Sequence, residues 1–594
     1  MSDFIYSYNK CSISDIKNAF QSIYPDDFNL TVTEYHGDWG NLFVTKSPYN
    51  GFEPYETDEY LAVVIGGPLL NFTDNSHLSV NENNDATKAI FDRWLSGKME
   101  WQNDLNGPFA VIIIEKLSKE VFSVTDLMSF IPLYYYQKQG QSDMIASHVD
   151  VFNKMFDGHL EEDIVSKVDF ILHGIVTYPY TEYKNVFQLA PASTTVVTEG
   201  NIQRNEHYWY PSEVDLHLTK KEVAESLRNA LTSYTKTITD HSYNVAQFIS
   251  GGEDSRVLLG LIPEVDKKRE AIIFLDNMNR EGQMAKKAVT LYKTANFNLY
   301  TRSKTYYLDI LPQCADLVGS GAQYFHAHTF GFYNKSKLNE YDAVFGGLFS
   351  DALLKGARVK KIRGSKRFPF IPDIKLSTYS PEKQQSTGVF NNEVVQEVFR
   401  RRKNHFEFIK TFREKTAEEW FELWPSSMNL NIPNFHVNRR LFKSFEPFLS
   451  NEVVKLSAAI PQKWKMNRII FHRTAKSYLK PSKWLFHSDG RLPYFAWYVN
   501  IPIQFSFWLY EQLGKKLGWI KGNQGPWAEW HFVMKSAKWN DMIEEYASDE
   551  YSLSEYVNAD NVSELFNSNL NYVQKLNVMQ LLNQEYKNRK IVEK

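Results

Sequence analysis

The residues best suited to chemistry lie together between Asn244 and Arg256, N-V-A-Q-F-I-S-G-G-E-D-S-R. The apolar run Val245, Ala246, Phe248, Ile249 predicts a short buried strand. Ser250-Gly251-Gly252-Glu253-Asp254-Ser255 predicts a tight loop, and a helix opens near Ser255 and runs through Leu261 to Pro263. Such a loop suits an anion: glycines let backbone N–H groups turn inward, a helix N-terminus adds partial positive charge, and serines add donors. Asp254 would repel a bare phosphate, which implies a bridging divalent cation. The loop is not a Walker A sequence, because the G-x-x-x-x-G-K-[ST] spacing and its lysine are absent. A plain strand-turn-helix connection is the competing reading of a Gly-Gly pair.

The whole S-G-G-x-D-S string after a strand resembles the pyrophosphate loop of the ATP pyrophosphatases. That resemblance implies ATP cleaved between its α and β phosphates, with Ser250, Gly251, Gly252, Asp254 and Ser255 at the nucleotide. The elements that position the loop follow the same logic. Around it, a helix from Lys220 to Tyr234, a second buried strand Ala271 to Leu275, and a helix opening at Asn279 alternate. Alternating strands and helices imply a doubly wound parallel sheet, whose ligands sit at the carboxyl ends of the strands. In this family adenine rests on the backbone near Phe274 and Leu275.

Before this half lies a strand-rich region. Leu61–Ile65, Phe109–Ile114, Val121–Val124 and Thr194–Thr198 are β-branched runs bounded by turn or charged residues, with one helix expected from Asp85 to Leu95. A sheet sandwich capped by helices is expected. Asp104-Leu-Asn-Gly-Pro-Phe-Ala110, Thr125-Asp-Leu-Met-Ser-Phe-Ile-Pro-Leu-Tyr-Tyr135, Val186-Phe-Gln-Leu-Ala-Pro191 and Tyr208-Trp209 resemble segments of asparagine synthetase amidotransferase domains. With the loop at the expected distance, the resemblance to the asparagine synthetase-like family spans nearly the whole chain. It implies an α/β and α+β protein. Residues 1–210 would form an N-terminal β-rich sandwich of the Ntn, class II amidotransferase type. Residues 211–500 would form the doubly wound ATP pyrophosphatase domain, and 501–594 its helical extension.

Departures from the family pattern are as informative. The family nucleophile is a cysteine at position two, and this chain has Ser2; Cys11 lies too far along to replace it. The glutamine-binding N-G-E is Gly66-Gly67-Pro68 here. Both changes argue for a domain without glutaminase activity, as in the related β-lactam synthetases and lasso-peptide cyclases. Tyr341 to Gly356 resembles the family's S-G-E-G-A-D-E-L-F-G-G, with Gly347 as the first glycine, Asp351 as the aspartate, and Leu348 and Ala352 in place of its glutamates. The resemblance makes Asp254 and Asp351 a magnesium pair. Pro447-Phe448-Leu449 and Arg473 match a third family segment, but its preceding arginine is missing; Arg439 or Arg440 is the candidate substitute. Lys483 and Arg491 are the candidates for the catalytic cation that stabilises the reacting adenylate.

Composition narrows the partners. The 594 residues allow two or three domains, and 43% hydrophobic content allows large cores. A net charge of −3 implies no nucleic-acid or membrane field. Two cysteines, Cys11 and Cys314, form no disulfide framework. No run reaches the ~18 apolar residues of a membrane helix, and no signal peptide is evident, so a cytoplasmic protein is expected. His326 and His328 lack ligand partners of familiar spacing and read as packing residues. The basic stretch Lys355 to Arg367 reads as a solvated loop, with binding of an acidic substrate or closure over phosphates as the alternative, and Arg400 to Lys403 reads as a helix face. The tryptophans from Trp497 to Trp539 either pack a helical core or line a groove. The expected function is an ATP- and Mg2+-dependent ligase joining a carboxylate substrate to an amine, in a secondary-metabolite or surface-polysaccharide pathway. A lasso-type peptide macrocyclase and a non-catalytic nucleotide-binding protein are the rival readings. A homodimer is left open.

Overall fold

The computed structural model describes residues 2–9, 12–80, 83–137, 144–156, 158–199, 201–264, 269–363, 368, 370–376, 388–520, 522–547, 552–558 and 562–592. Cys11, Lys366 and Arg367 lie outside the described residues.

The first two hundred residues build two six-stranded antiparallel sheets. One contains Leu61–Ile65 within the strand Tyr60–Gly66, paired with Phe109–Glu115, Glu120–Thr125 and Ser193–Thr198. The sandwich expected from sequence needs a second sheet, but its strands were not anticipated. It runs Val186–Gln188, Tyr134–Tyr136, Met144–Ala146, Phe4–Ser7, Gly40–Thr45, Val32–Gly37. Its side chains alternate as a strand requires. Phe4, Tyr6, Leu42 and Val44 join the core with the first sheet, while Ile5 and Phe43 pack in a second core with Ile16, Phe20 and Ile23 of the helix Ile13–Ile23. Asp126 anchors the turn after Glu120–Thr125, accepting backbone N–H groups of Phe109, Met128, Phe130 and Ile131 at 2.9–3.2 Å.

The second half carries a five-stranded sheet in which every neighbouring pair is parallel. Its order is Ala295–Thr301, Arg269–Leu275, Val245–Phe248, Ala343–Phe345, Ser444–Phe445. Chain order therefore reverses between the Val245 and Ala343 strands, and that crevice is where such sheets bind ligands. The helix Lys220–Thr239 leads in with a complete capping box, Thr219 and Glu222 each bonding the other's backbone N–H.

The halves share their interior. Tyr49 donates to the Ser444 carbonyl (2.8 Å), and Trp424 Nε1 donates to the Leu127 carbonyl (2.8 Å). Arg439 and Arg440, on the helix Ile432–Leu441, converge on Asp3 in the first half: Arg440 Nε is 2.7 Å from Oδ2 and its Nη2 3.0 Å from Oδ1. All three side chains are buried. These arginines therefore hold the N-terminal strand and do not replace the missing arginine before Pro447. The run at Arg400 is also less solvated than expected: Arg402 is buried 3.6 Å from Asp169, while Arg401 reaches Asp163. The C-terminal helix Tyr572–Val592 packs on the helix Ile164–His173, where Lys167 is 2.8 Å from Glu585 and Asn577 Nδ2 donates to the Phe170 carbonyl (3.0 Å).

Candidate functional site

The Ser250 loop sits at the carboxyl end of the Val245 strand and feeds the helix Asp254–Leu261. Three of its amides are already bonded within the fold. Ser250 N–H donates to Ser255 Oγ (2.9 Å), Gly251 N–H to Glu281 Oε1 (2.6 Å) and Gly252 N–H to Ser250 Oγ (3.1 Å). The expected cradle of inward-facing amides is thus closed on itself, with the Glu281 carboxylate standing where an anion would bond Gly251.

A second loop, Leu485 to Arg491, covers the first. Arg256 is buried and donates to the carbonyls of Gly251 (2.9 Å), Leu485 (3.0 Å) and Phe486 (2.5 Å). Burial pulls its guanidinium down to about 10. It serves as a clamp between the two loops. Arg491, from the covering loop, ion-pairs with Asp489 (2.8 Å) and Glu253 (3.5 Å). Lys483 lies outside this group, exposed, with its ammonium over the Trp484 ring.

The centre of the cluster is Lys355. Its Nζ is 2.5 and 2.6 Å from the two oxygens of Asp254, 2.9 Å from Asp351 and 3.3 Å from Glu253. The side chain is buried, with the ammonium 4.5 Å from the centre of the Phe471 ring. The first residue of the supposed solvated loop is therefore the partner of both supposed metal ligands. Arg468 completes the group at 2.9 Å from Glu253, on a backbone of positive φ. Burial alone would raise the Glu253 carboxyl, but Arg491, Lys355 and Arg468 outweigh it and hold it well below the usual range. Burial pushes Asp254 up to about 6, with Asp351 and Glu253 adding to the rise and Lys355 opposing it. Glu253, Asp351, Lys355, Arg468 and Arg491 face one cleft of about 420 Å³. The residues present do not fit a protein-held magnesium: an ammonium already occupies the space between Asp254 and Asp351. Among the described residues no group of three or more His, Cys, Asp or Glu side chains is arranged to hold a metal ion.

On the other side of the loop, a cleft of about 200 Å³ is lined by Ser250, Phe274, Leu275, Gly347, Glu446 and Trp527, among others. Gly347 packs beside Asp254; a Cβ there would lie 3.4 Å from the Asp254 Cβ. The Leu275 carbonyl accepts the Arg302 N–H (2.9 Å). Glu446 is buried, accepts the Leu348 N–H (2.9 Å) and has one oxygen without a hydrogen-bond partner. A side chain at Gly346 would run into that carboxyl, which explains the glycine. Sequence reasoning missed Glu446, Lys355, Arg468 and Glu281; none has a local signature. Arg473, which matched the family motif, is exposed, and its carbonyl accepts from Arg228.

Burial pushes the Glu446 carboxyl up to about 8. Unfolded, it releases its proton near the usual carboxylate value of ~4.3. Between those values the folded chain holds the extra proton, so this residue's contribution to stability is lost as pH rises through about 8. Glu446→Gln should remove that slope. Urea midpoints from pH 5 to 9 should show the variant gaining on the native chain as pH rises; parallel curves would rule the shift out.

The remaining candidates resolve simply. His326 and His328 are held by Gln323 and Tyr307, and both rings contact Trp527. Trp497 and Trp527 line clefts, whereas Trp530 packs on Tyr307 and Trp539 is buried. Ser2 is buried, with its Oγ donating to the Lys46 carbonyl (3.0 Å) and its N–H to the Thr45 carbonyl (3.2 Å). Gly67 lies against the Tyr49 ring. No helix among the described residues is long and apolar enough to cross a membrane.

Antiparallel sheets joined to a parallel sheet, with a serine-glycine loop at its crevice, make a two-part mixed α/β protein. Residues 50–209 match the glutamine amidotransferase domain family. The match to an amidotransferase domain lies in the first half of the chain, and the chain is also similar to an asparagine synthetase. A putative asparagine synthetase [glutamine-hydrolyzing] 2 of Methanocaldococcus jannaschii is 23% identical over 377 residues, covering 58% of this chain and 70% of that one. Two solved structures overlap it more loosely. Glutamine phosphoribosylpyrophosphate amidotransferase from B. subtilis, complexed with ADP and GMP, is 9% identical with a TM-score of 0.23, over 50% of this chain and 65% of that one. A structure of the allosteric regulatory enzyme of purine biosynthesis is 8% identical with the same TM-score, 0.23, over 67% of this chain and 88% of that one. At that score neither overlap carries an argument.

Proposed function

We propose that the protein is an ATP-dependent, amide-forming ligase whose second half is an ATP pyrophosphatase-type domain and whose first half hydrolyses no glutamine. The observation that carries this reading is the Ser250–Ser255 loop at the point where strand order reverses, with Lys355, Arg468 and Arg491 grouped beside it.

In this reaction a substrate carboxylate oxygen attacks the α-phosphorus of ATP and pyrophosphate leaves. An amine nitrogen then attacks the acyl carbonyl, AMP leaves, and the nitrogen loses a proton. The cleft at Phe274 and Leu275 takes the adenine end. Lys355, Arg468 and Arg491 meet the charge that collects on the leaving pyrophosphate, and Arg491 is the candidate cation for the tetrahedral state. The buried Ser2 and the Tyr49 ring against Gly67 support a silent amidotransferase half. The carboxylate and amine belong to a small metabolite of a secondary-metabolite or surface-polysaccharide pathway.

The test is ATP–pyrophosphate exchange across a panel of carboxylic acids, with glutaminase assayed in parallel. Acid-dependent exchange without glutamate release is the expected result. Nucleotide binding with no exchange for any acid would instead favour a non-catalytic protein.

A further inference from the structure

The space between Asp254 and Asp351 is filled by part of the chain itself. Lys355 follows Asp351 by four residues, and Gly356, at φ +65°, turns the backbone directly after it. This tethers the ammonium where both aspartates and Glu253 can reach it. The contacts of 2.5–3.3 Å use oxygens from all three carboxylates. A magnesium ion needs oxygens at about 2.0–2.1 Å in near-octahedral array. An ion meeting that demand between these two aspartates would stand against the ammonium, and like charges at such range repel strongly in a buried site. The lysine has no easy retreat: its side chain is only 5% exposed and lies over Phe471.

We infer that Lys355 is the resident cation of this site, tethered between Asp254 and Asp351, and that it keeps this pair from binding a divalent ion. A polyphosphate entering the cleft is then met by Lys355, Arg468 and Arg491, and any magnesium arrives on the phosphates. That second consequence rests on the proposed function; the first does not.

Manganese decides it, because Mn2+ can be counted by electron paramagnetic resonance without nucleotide or turnover. The full chain, stripped with chelator, should leave the free Mn2+ signal unchanged. Lys355→Ala should withdraw one Mn2+ per chain, and adding Asp351→Asn to it should return that signal. Lys355→Met, which keeps most of the side-chain length without the charge, is the second variant in case alanine does not fold; circular dichroism reports folding of each. Mn2+ bound by the native chain and lost in Asp254→Asn overturns the inference. So does a folded pair of lysine variants that bind none. ATP binding by the native chain is measured separately: its failure would sink the ligase reading and leave the manganese result standing.

Discussion

Replacing Asp3 by alanine should destabilise the protein by about 3–5 kcal/mol, the cost of leaving buried charges without their partner. Asp3 is fully buried and collects five donors. Arg440 contributes two, Arg439 one at 3.3 Å, Tyr24 one at 2.7 Å and Ser147 one at 2.8 Å. Burial alone would raise its carboxyl, but Arg440 and Arg439 outweigh burial and hold it far below the usual range. Without it, two guanidiniums stay buried 1–2% exposed, and Arg439 retains only the Ser2 carbonyl among its bonds to the first strand. A depressed carboxyl stabilises above its unfolded value and loses that contribution as pH falls, so the native chain should also weaken below about pH 4. Urea unfolding of Asp3→Ala and of the isosteric Asp3→Asn measures the effect. A midpoint equal to the native one in both would show that the junction carries little of the stability.

The largest effect on activity is expected from Asp254→Asn. The substitution removes one of three carboxylates around Lys355 and leaves Glu253 and Asp351 to hold it, so the fold should persist. Under the proposed function Lys355 is the donor that meets the pyrophosphate, so loosening its hold should lower acid-dependent ATP–pyrophosphate exchange by up to about 10²-fold, the low end of the range for losing a preorganised donor outright. Native exchange should also rise with pH through about 6, where the raised Asp254 carboxyl ionises. The variant should lack that limb. Unchanged exchange in Asp254→Asn, with an unchanged melting curve, would take Asp254 out of the reaction.

What could be read from the sequence followed how local each signal was. The Ser250 loop was legible because glycines, serines and an aspartate sit within six residues after an apolar run. The helices at Asp85 and Lys220 carry their periodicity and first-turn signals in themselves. The sheet containing Phe4–Ser7 was not legible. Its strands are short, Tyr134–Tyr136 and Met144–Ala146 have three residues each, and they exist only through pairings such as Phe4 with Val44. Lys355 was given to solvent because basic residues follow it; its partner Asp254 is 101 residues away. Glu446 carries no signal of its own in the sequence, and only the fold, which brings Gly346 and Leu348 against it, sets it at the edge of a cleft.

The pair formed by Lys167 and Glu585 joins residues 418 positions apart. A ribosome delivers Lys167 long before Glu585, so the helix Ile164–His173 must wait, with a charged side chain and an apolar face uncovered, until the helix Tyr572–Val592 has been made. The first half therefore cannot finish folding as it emerges. Its sheets can assemble early, but this surface closes only when that distant helix arrives. During that interval the growing chain offers chaperones and proteases a target that the finished protein conceals.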